Sequence, residues 1–335
     1  MGIGVLGIGS YLPSRVVSND EIAGHTSVSP EWIVDRTGIR ERRYGEPHQS
    51  TSDLAVAASR ESLRAVAGDP AVIVVATSTP DQPQPATAAV LQAKLGLSGI
   101  PAFDINAVCS GFLYALSVGD ALLRTSMAGQ IALVVGADKY STIIDPTERR
   151  TASLFGDGAG AVVLGSVPDG YGIVGSRLVT DGEYAHLIEV VAGGTRRPLD
   201  DRARADGDHY FRMNGFAVRE YAMQVLPDIV EPLLKENGIT VADLERVVFH
   251  QANDRMIEGC AARLAIPMDK VPLSSTHFGN TASASIPITL AETAENRPLR
   301  RGDWVLLVSV GGGMTAGAVL MRWFDNEAVA EPVGE

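Results

Sequence analysis

Cys109 is the residue of this sequence that is best placed to act as a nucleophile. It follows an apolar run ending near Asp104–Asn106 and precedes Gly111–Leu123, whose apolar spacing predicts a helix. A thiol at a helix N-terminus should have a lowered pKa, because the helix dipole and the free N–H groups favour the thiolate. The alternative is a buried structural cysteine, which is our interpretation of Cys260 in the middle of a second predicted helix.

A nucleophilic cysteine needs a partner histidine close in space, and His250 is the strongest candidate among the six histidines. It ends the predicted strand Val247–His250, and polar residues at strand ends in α/β sheets face the crevice where ligands bind. Asn280 lies in a Gly-Asn turn, and Gly311–Gly313 offers backbone N–H groups that suit an oxyanion hole. The alternatives are a core or capping histidine and two ordinary turns.

Short apolar runs alternating with helical patterns must position these residues, which predicts an α/β fold. Strands are predicted at Val72–Ala76, Ala102–Ile105, Ile131–Gly136, Ala159–Leu164, Val247–His250, Trp304–Val310 and Gly317–Arg322, and helices at Ser52–Ala67, Phe216–Asn237 and Asp254–Leu264. The first helix should be capped by Thr51 or Ser52. Similar Gly-rich turns before strands, at Phe155–Gly165 and Val310–Met321, suggest an internal duplication, although such turns are common in α/β proteins.

The composition excludes several classes of protein. The chain has 335 residues, 45% of them hydrophobic, and 28 Lys+Arg against 40 Asp+Glu give a net charge of −12. Its length suggests about two domains, and its acidity argues against nucleic acid and anionic membranes as partners. Two cysteines, no signal-peptide pattern and no apolar run of membrane length predict a cytoplasmic protein. Residues 181–208 are predicted to form a long surface loop that covers a site.

Six sequence blocks, in this order, resemble the β-ketoacyl synthase III family of the thiolase superfamily. They are Glu31–Arg43, Asn106–Phe112, Phe155–Ala161, His250–Asn253, Gly279–Ser285 and Gly311–Thr315. The resemblance implies two duplicated α/β halves in a five-layered α-β-α-β-α arrangement, residues 1–170 and residues 171–325. The acidic segment 326–335 is predicted to be a disordered tail. The resemblance also implies a homodimer that needs no metal and no other cofactor.

The resemblance assigns the catalytic roles to Cys109, His250 and Asn280. Cys109 would take the acyl group from an acyl-CoA, while the backbone N–H groups of Cys109 and Gly312 hold the oxyanion. His250 and Asn280 would donate hydrogen bonds to the enolate that forms when a malonyl thioester loses CO2. Attack of that enolate on the acyl-cysteine would give a 3-oxoacyl thioester, as in fatty-acid or polyketide biosynthesis.

CoA recognition is similar to the family as well. The resemblance places the adenine ring between Trp32 and Arg149, and assigns a phosphate contact to Arg36 and a substrate contact to Asn253. Arg40 lies on the same segment as Trp32 and is equally compatible with a surface salt bridge.

Departures from the family concern the substrates. Gln84 stands near the position of a large aromatic residue in the acyl channel, contributed across the dimer, and Val310 stands where Phe is frequent. Arg255 keeps the basic pattern that docks an acidic acyl carrier protein, whereas Glu220 opposes it. The segment 192–200 resembles a subgroup that makes acetoacetyl-CoA from acetyl-CoA and free malonyl-CoA. The extender therefore stays open between malonyl-CoA and a malonyl carrier protein. Acyl transfer to a hydroxyl or amine, and a non-catalytic scaffold, are further alternatives.

Overall fold

The computed structural model describes residues 1–325, so the predicted tail at 326–335 lies outside the described residues. The strands are β1 (Gly2–Tyr11), β2 (Arg15–Ser18), β3 (Glu41–Tyr44), β4 (Val72–Ala76), β5 (Ala102–Ile105), β6 (Ala132–Lys139), β7 (Asp157–Val167), β8 (Gly172–Thr180), β9 (Ile188–Val190), β10 (Phe211–Met213), β11 (Leu244–Phe249), β12 (Trp304–Gly311) and β13 (Thr315–Arg322). The helices are α1 (Asn19–His25), α2 (Pro30–Thr37), α3 (Thr51–Leu63), α4 (Thr87–Lys94), α5 (Gly111–Arg124), α6 (Arg149–Ala152), α7 (Asp201–Ala205), α8 (Gly215–Glu236), α9 (Asp254–Arg263), α10 (Ser275–Phe278) and α11 (Ser285–Asn296).

Two large sheets repeat the same pairing pattern. The first has the order β1-β7-β6-β4-β5, and the second has the order β8-β13-β12-β11. In each sheet two antiparallel pairs are followed by a parallel pair, β6 with β4 and β12 with β11. This repetition confirms the predicted duplication, and the proposed boundary at residue 170 falls in the turn between β7 and β8.

Helices cover both faces of both sheets because the strands are apolar on both sides. Leu54 of α3 and Leu91 of α4 pack on the outer face of the first sheet. The helices α5 and α11 lie between the sheets, and α8 and α9 cover the outer face of the second. The result is the predicted five-layered α-β-α-β-α arrangement. None of the helices within residues 1–325 combines the length and apolar character needed to cross a membrane.

Two local predictions were wrong. The helix predicted at Ser52–Ala67 is α3, which ends at Leu63 and is capped by Ser50, not by Thr51 or Ser52, because Ser50 and Asp53 form a capping box. The segment 181–208 is not a plain loop, since it contains a 3₁₀ segment, β9 and α7. Asp208 stabilises this segment, because its buried carboxylate forms ion pairs with Arg197 and Arg212.

Candidate active site

Cys109 lies on a strained turn between β5 and α5. A 3₁₀ turn at Val108–Ser110 joins the two elements, and Val108 has a φ of +47°. A β-branched residue rarely adopts this left-handed conformation, and such strain persists only where the surroundings enforce it. The turn has the strand-to-helix geometry of a nucleophile elbow, as the sequence predicts.

The hairpin of β12 and β13 holds this turn in place. The Ser309 hydroxyl donates to the Cys109 carbonyl at 3.1 Å, and the Thr315 hydroxyl donates to the Ala107 carbonyl at 3.0 Å. A Cβ atom on Gly311 would lie 2.9 Å from the Cys109 nitrogen, and one on Gly312 would lie 2.9 Å from Val108 Cγ2. Glycine is therefore needed for close approach, while the oxyanion role of Gly312 stays a prediction.

The expected lowering of the Cys109 pKa is wrong. Burial raises the pKa of this thiol, the Asp138 carboxylate raises it further, and a backbone hydrogen bond only partly opposes them. The helix N-terminus does not compensate for the loss of water around a side chain that is 8% exposed. The resting site therefore holds a thiol, and the negative charge must develop during the reaction.

His250 directly follows β11, at the strand end where the sequence places it. Its backbone N–H donates to the Val308 carbonyl at 2.7 Å, and its ring Nδ1 lies 2.7 Å from the Ser285 hydroxyl. Burial lowers the pKa of His250 to about 4, although hydrogen bonding with the Ala282 backbone acts in the opposite direction. The imidazole is therefore neutral at physiological pH, as the predicted role requires.

Asn280 is fixed by backbone contacts on both sides. Gly279 precedes it with a φ of +67°, and a Cβ atom there would lie 2.7 Å from the Leu154 carbonyl. The Asn280 side-chain oxygen accepts the Ala282 N–H at 2.9 Å. Because its oxygen is occupied, the amide group of Asn280 is left with N–H donors to offer.

These three side chains line one cavity. The space inside it, counted out to the open mouth, is ≈ 530 Å³. The lining residues are Cys109, Leu154, Phe155, Ile188, Phe211, Met213, Gly215, Val218, His250, Ala252, Asn253, Met256, Asn280 and Val310. Ile188 of β9 lies within the segment 181–208, so the segment that was predicted to cover a site contributes to this cavity.

Asp138 is a buried acid beside the nucleophile that the sequence reasoning missed. Its carboxylate accepts hydrogen bonds from Thr77, Ser78 and Thr79 on one oxygen and from Ser283 on the other. Burial raises the pKa of Asp138, and the hydrogen bonds from Ser283 and Ser78 oppose this. An acid at the end of a strand as apolar as β6 was the available sequence signal.

Three aromatic rings form the wall around Cys109. Tyr140 and Phe155 stack with ring centroids 4.5 Å apart, and Phe211 meets Phe155 edge-on at 5.0 Å. Tyr140 is fully buried, and its hydroxyl lies 3.0 Å from that of Ser78. Nothing in the sequence pattern marked this cluster, because its members come from separate elements.

The residues assigned to CoA lie together at the surface. The Arg149 guanidinium lies over the Trp32 ring, 5.7 Å from its centroid. Arg36 is exposed on α2, the helix that carries Trp32. Asn253 lines the cavity and caps α9, because its side-chain oxygen accepts the Met256 N–H at 2.9 Å.

Other candidates lie outside the cavity. Gln84 is exposed in the loop before α4, and His277 is exposed on α10. Arg255 is exposed and contacts both carboxylate oxygens of Glu258 at 3.1 Å. Cys260 is a buried free thiol on the inner side of α9, and burial raises its pKa to about 11. Within residues 1–325, no three His, Cys, Asp or Glu side chains converge as metal ligands would.

Comparison with known proteins places this architecture among condensing enzymes. The profile described as 3-oxoacyl-[acyl-carrier-protein (ACP)] synthase III matches residues 103–182, and its C-terminal counterpart matches residues 234–323. The acetoacetyl CoA synthase NphT7 of Streptomyces sp. (strain CL190) is 45% identical over 95% of this chain and 98% of its own. The β-ketoacyl-[acyl-carrier-protein] synthase III of Laribacter hongkongensis is 44% identical over the same shares. The crystal structure of 3-oxoacyl-(acyl carrier protein) synthase III from Pseudomonas aeruginosa PAO1 superposes with a TM-score of 0.89, at 38% identity over 97% of this chain and 99% of that one.

Proposed function

Because this chain belongs to the 3-oxoacyl-[acyl-carrier-protein] synthase III family and is a condensing acyltransferase, we propose that it joins an acyl-CoA starter to a malonyl thioester. The products are a 3-oxoacyl thioester, CO2 and CoA. One observation carries the proposal: Cys109 from the first half and His250 and Asn280 from the second line the same cavity. A nucleophile and two neutral hydrogen-bond donors are the groups that this chemistry needs.

The first half-reaction transfers the acyl group to Cys109. The sulfur attacks the thioester carbonyl, the bond between that carbonyl and the CoA sulfur breaks, and the thiol proton leaves with CoA. Burial keeps Cys109 protonated at rest, so the N-terminus of α5 and the glycine turn act on the charge only as it develops.

The second half-reaction removes CO2 and forms the new carbon–carbon bond. The carboxylate of the malonyl group leaves as CO2, and its bonding electrons pass to the thioester oxygen as an enolate. Neutral His250 and the Asn280 amide donate hydrogen bonds to that oxygen. The enolate carbon then attacks the acyl carbonyl, and the released Cys109 thiolate takes a proton from solvent.

Labelling of the protein tests the nucleophile. Radiolabel from acyl-CoA should be retained by the wild-type chain and by Cys260→Ala, whereas Cys109→Ala should retain none. Persistent labelling of Cys109→Ala would show that the nucleophile is wrong. If labelling is normal but malonyl thioesters release no CO2, the chain transfers its acyl group to another acceptor.

A second candidate restricts both substrates to CoA thioesters, with acetoacetyl-CoA as the product. The observation in its favour is the pairing of Arg255 with Glu258, because a guanidinium already paired attracts an acidic carrier protein less. Arg255 also donates to the Asp35 carbonyl at 3.3 Å, which fixes it further. Sequence identity does not separate the two candidates, since it is 45% with an acetoacetyl CoA synthase and 44% with a β-ketoacyl-[acyl-carrier-protein] synthase III.

Rates with malonyl-CoA and with a malonyl carrier protein separate the two candidates. Comparable rates with free malonyl-CoA support the CoA-only enzyme, and strict dependence on the carrier contradicts it. Glu258→Gln should raise kcat/KM for the carrier a few-fold without changing that for malonyl-CoA. Glu231→Gln, an exposed charge change on α8, is the matched control and should alter neither value.

The homodimer and the cytoplasmic location stay proposals. Gln84 is exposed and is not among the residues lining the Cys109 cavity of its own chain. The resemblance assigns Gln84 to an acyl channel across a dimer, and in that assignment it acts on a second copy of the chain. Both cysteines are free thiols, which fits a reducing compartment. Light scattering after gel filtration should give twice the chain mass of 35.3 kDa.

A further inference from the structure

Ser285 has a buried hydroxyl group to which neither the sequence pattern nor the proposed mechanism assigns a role. It opens α11, is 1% exposed, and places its oxygen 2.7 Å from Nδ1 of His250. The same oxygen accepts the backbone N–H of Gln251 at 3.2 Å. Since an N–H group can only donate, one lone pair of Ser285 is committed and its proton remains to be placed.

We propose that Ser285 is a positioning residue whose hydroxyl donates to Nδ1 of His250 and thereby keeps the imidazole proton on Nε2. A neutral imidazole carries one proton, and the hydrogen bond at one ring nitrogen decides which nitrogen bears it. With Nδ1 accepting, Nε2–H is the group left for the substrate. This inference rests on the proposed function, since it explains how His250 becomes a donor.

The groups around the His250 imidazole indicate that the proton on Nε2 depends on Ser285. The Ala282 backbone is the other partner of the ring, and it raises the pKa, as a group does when it accepts the imidazole proton. Without the Ser285 hydroxyl, no contact at Nδ1 in the described part of the chain would oppose a proton on that nitrogen. Among the hydrogen-bond partners of the ring within residues 1–325, Ser285 is the one that can donate.

Asn280 and His250 would then be prepared in the same way from opposite sides. The Asn280 oxygen is occupied by the Ala282 N–H, which leaves its amide protons free. Nδ1 of His250 is occupied by Ser285, which leaves Nε2–H free. Two donors converge on the enolate oxygen because both acceptor atoms are already satisfied by the protein.

Nitrogen-15 NMR of histidine-labelled enzyme tests the proton position directly and requires no turnover. The His250 signals, assigned by their loss in His250→Ala, should report a proton on Nε2 in the wild type. In Ser285→Ala the proton should move to Nδ1, and Ser285→Thr should restore it. Ser274→Ala removes a buried hydroxyl that contacts Thr289, and as the matched control it should leave the wild-type pattern.

Kinetics should show the same separation. In Ser285→Ala, condensation should fall by about 10- to 100-fold while acylation of Cys109 changes less than about threefold, because only condensation needs the donor. A wild-type signal with the proton on Nδ1, or an unchanged tautomer in Ser285→Ala, would overturn the proposal. A wild-type enzyme that releases no CO2 from malonyl thioesters would instead overturn the proposed function and leave the NMR result standing.

Discussion

Two loops occupy the same place in the two halves of the fold and serve different ends. The loop 77–79 follows β4, the loop 250–252 follows β11, and both strands pair in parallel with the next strand of their sheet. In the first loop, Thr77, Ser78 and Thr79 all donate to Asp138. In the second loop, Nδ1 of His250 forms a hydrogen bond with the Ser285 hydroxyl, and the imidazole ring lines the cavity.

The difference shows that the repeated fold supplies positions, whereas the chemistry depends on which polar atom faces a cavity. Asp138 is fully buried, as His250 nearly is, yet its oxygens are occupied by neighbouring donors. It connects the first half to Ser283, three residues after Asn280, and so joins the two halves structurally. Burial and a perturbed pKa alone therefore do not identify a catalytic residue here.

Replacement of His250 gives the largest expected effect and tests the functional side of the comparison. His250→Ala should lower condensation by about 10³-fold, because an oxyanion donor is typically worth 10²–10³. Label transfer to Cys109 should be nearly unchanged. Thr79→Ala, in the equivalent loop, is the control and should keep condensation at temperatures where it is folded. Equal losses of activity in the two variants would contradict the division of roles.

Replacement of Asp138 should affect stability. Asp138→Asn places amide hydrogens among the hydroxyl and N–H donors of four residues, and buried donors left without acceptors cost about 1–3 kcal/mol each. We expect the free energy of unfolding to fall by about 3 kcal/mol, as measured by urea denaturation. Asp120→Asn, which weakens an exposed pair with Arg124, should cost less than about 0.5 kcal/mol. An Asp138→Asn variant with the unfolding free energy of the wild type would contradict the structural role of Asp138.

The sequence predicted the parts of this molecule that depend on local pattern. The strand Val72–Ala76 was predicted with its true limits because five apolar residues in a row fit a strand buried on both faces. Cys109 and His250 became candidates because each lies at the end of a predicted strand. The cap at Ser50 had a local signal that the prediction missed, the capping-box pattern of Ser50 and Asp53. The contact of Ser52 with Asp81 from another loop had no such signal.

The remaining parts depend on distant contacts that no local pattern contains. Burial by several elements reverses the expected pKa of Cys109. Ser285 has the sequence context of an ordinary residue at a helix start, and its role follows only from His250, 35 residues away. The six family blocks named the candidate catalytic residues, but they carry no information on which hydroxyl contacts the imidazole.

The pH dependence of stability should show that the His250 imidazole is buried in its neutral form. The folded pKa of His250 is about 4, below the ordinary value of 6.5, so the unfolded chain binds the proton more tightly. The contribution of His250 to the free energy of unfolding is fully present above pH 6.5 and is lost as the pH falls toward 4. When the pH falls from 7 to 5, protonation of this histidine in the unfolded chain should lower the free energy of unfolding by about 2 kcal/mol.

Urea denaturation of His250→Gln measures this contribution by difference. The variant has no titrating group at this position, so it should lose about 2 kcal/mol less than the wild type between pH 7 and pH 5. His277→Gln removes an exposed histidine and should keep the wild-type pH dependence. Identical curves for wild type and His250→Gln would mean that the imidazole is not buried in its neutral form.

The helices that follow the two loops, α4 and α9, differ in how their N-termini are capped, and this difference gives the smallest expected effect. The first N–H groups of α4 are capped from outside by Asp104, whereas α9 is capped by its own Asn253, which also lines the cavity. Asn253→Ala should lower the unfolding free energy by about 1 kcal/mol, the usual value of a cap. Asn253→Asp should keep the cap but raise KM for the malonyl thioester, because its carboxylate repels the malonyl carboxylate. Wild-type stability in Asn253→Ala, or a wild-type KM in Asn253→Asp, would show that Asn253 does not combine the two roles.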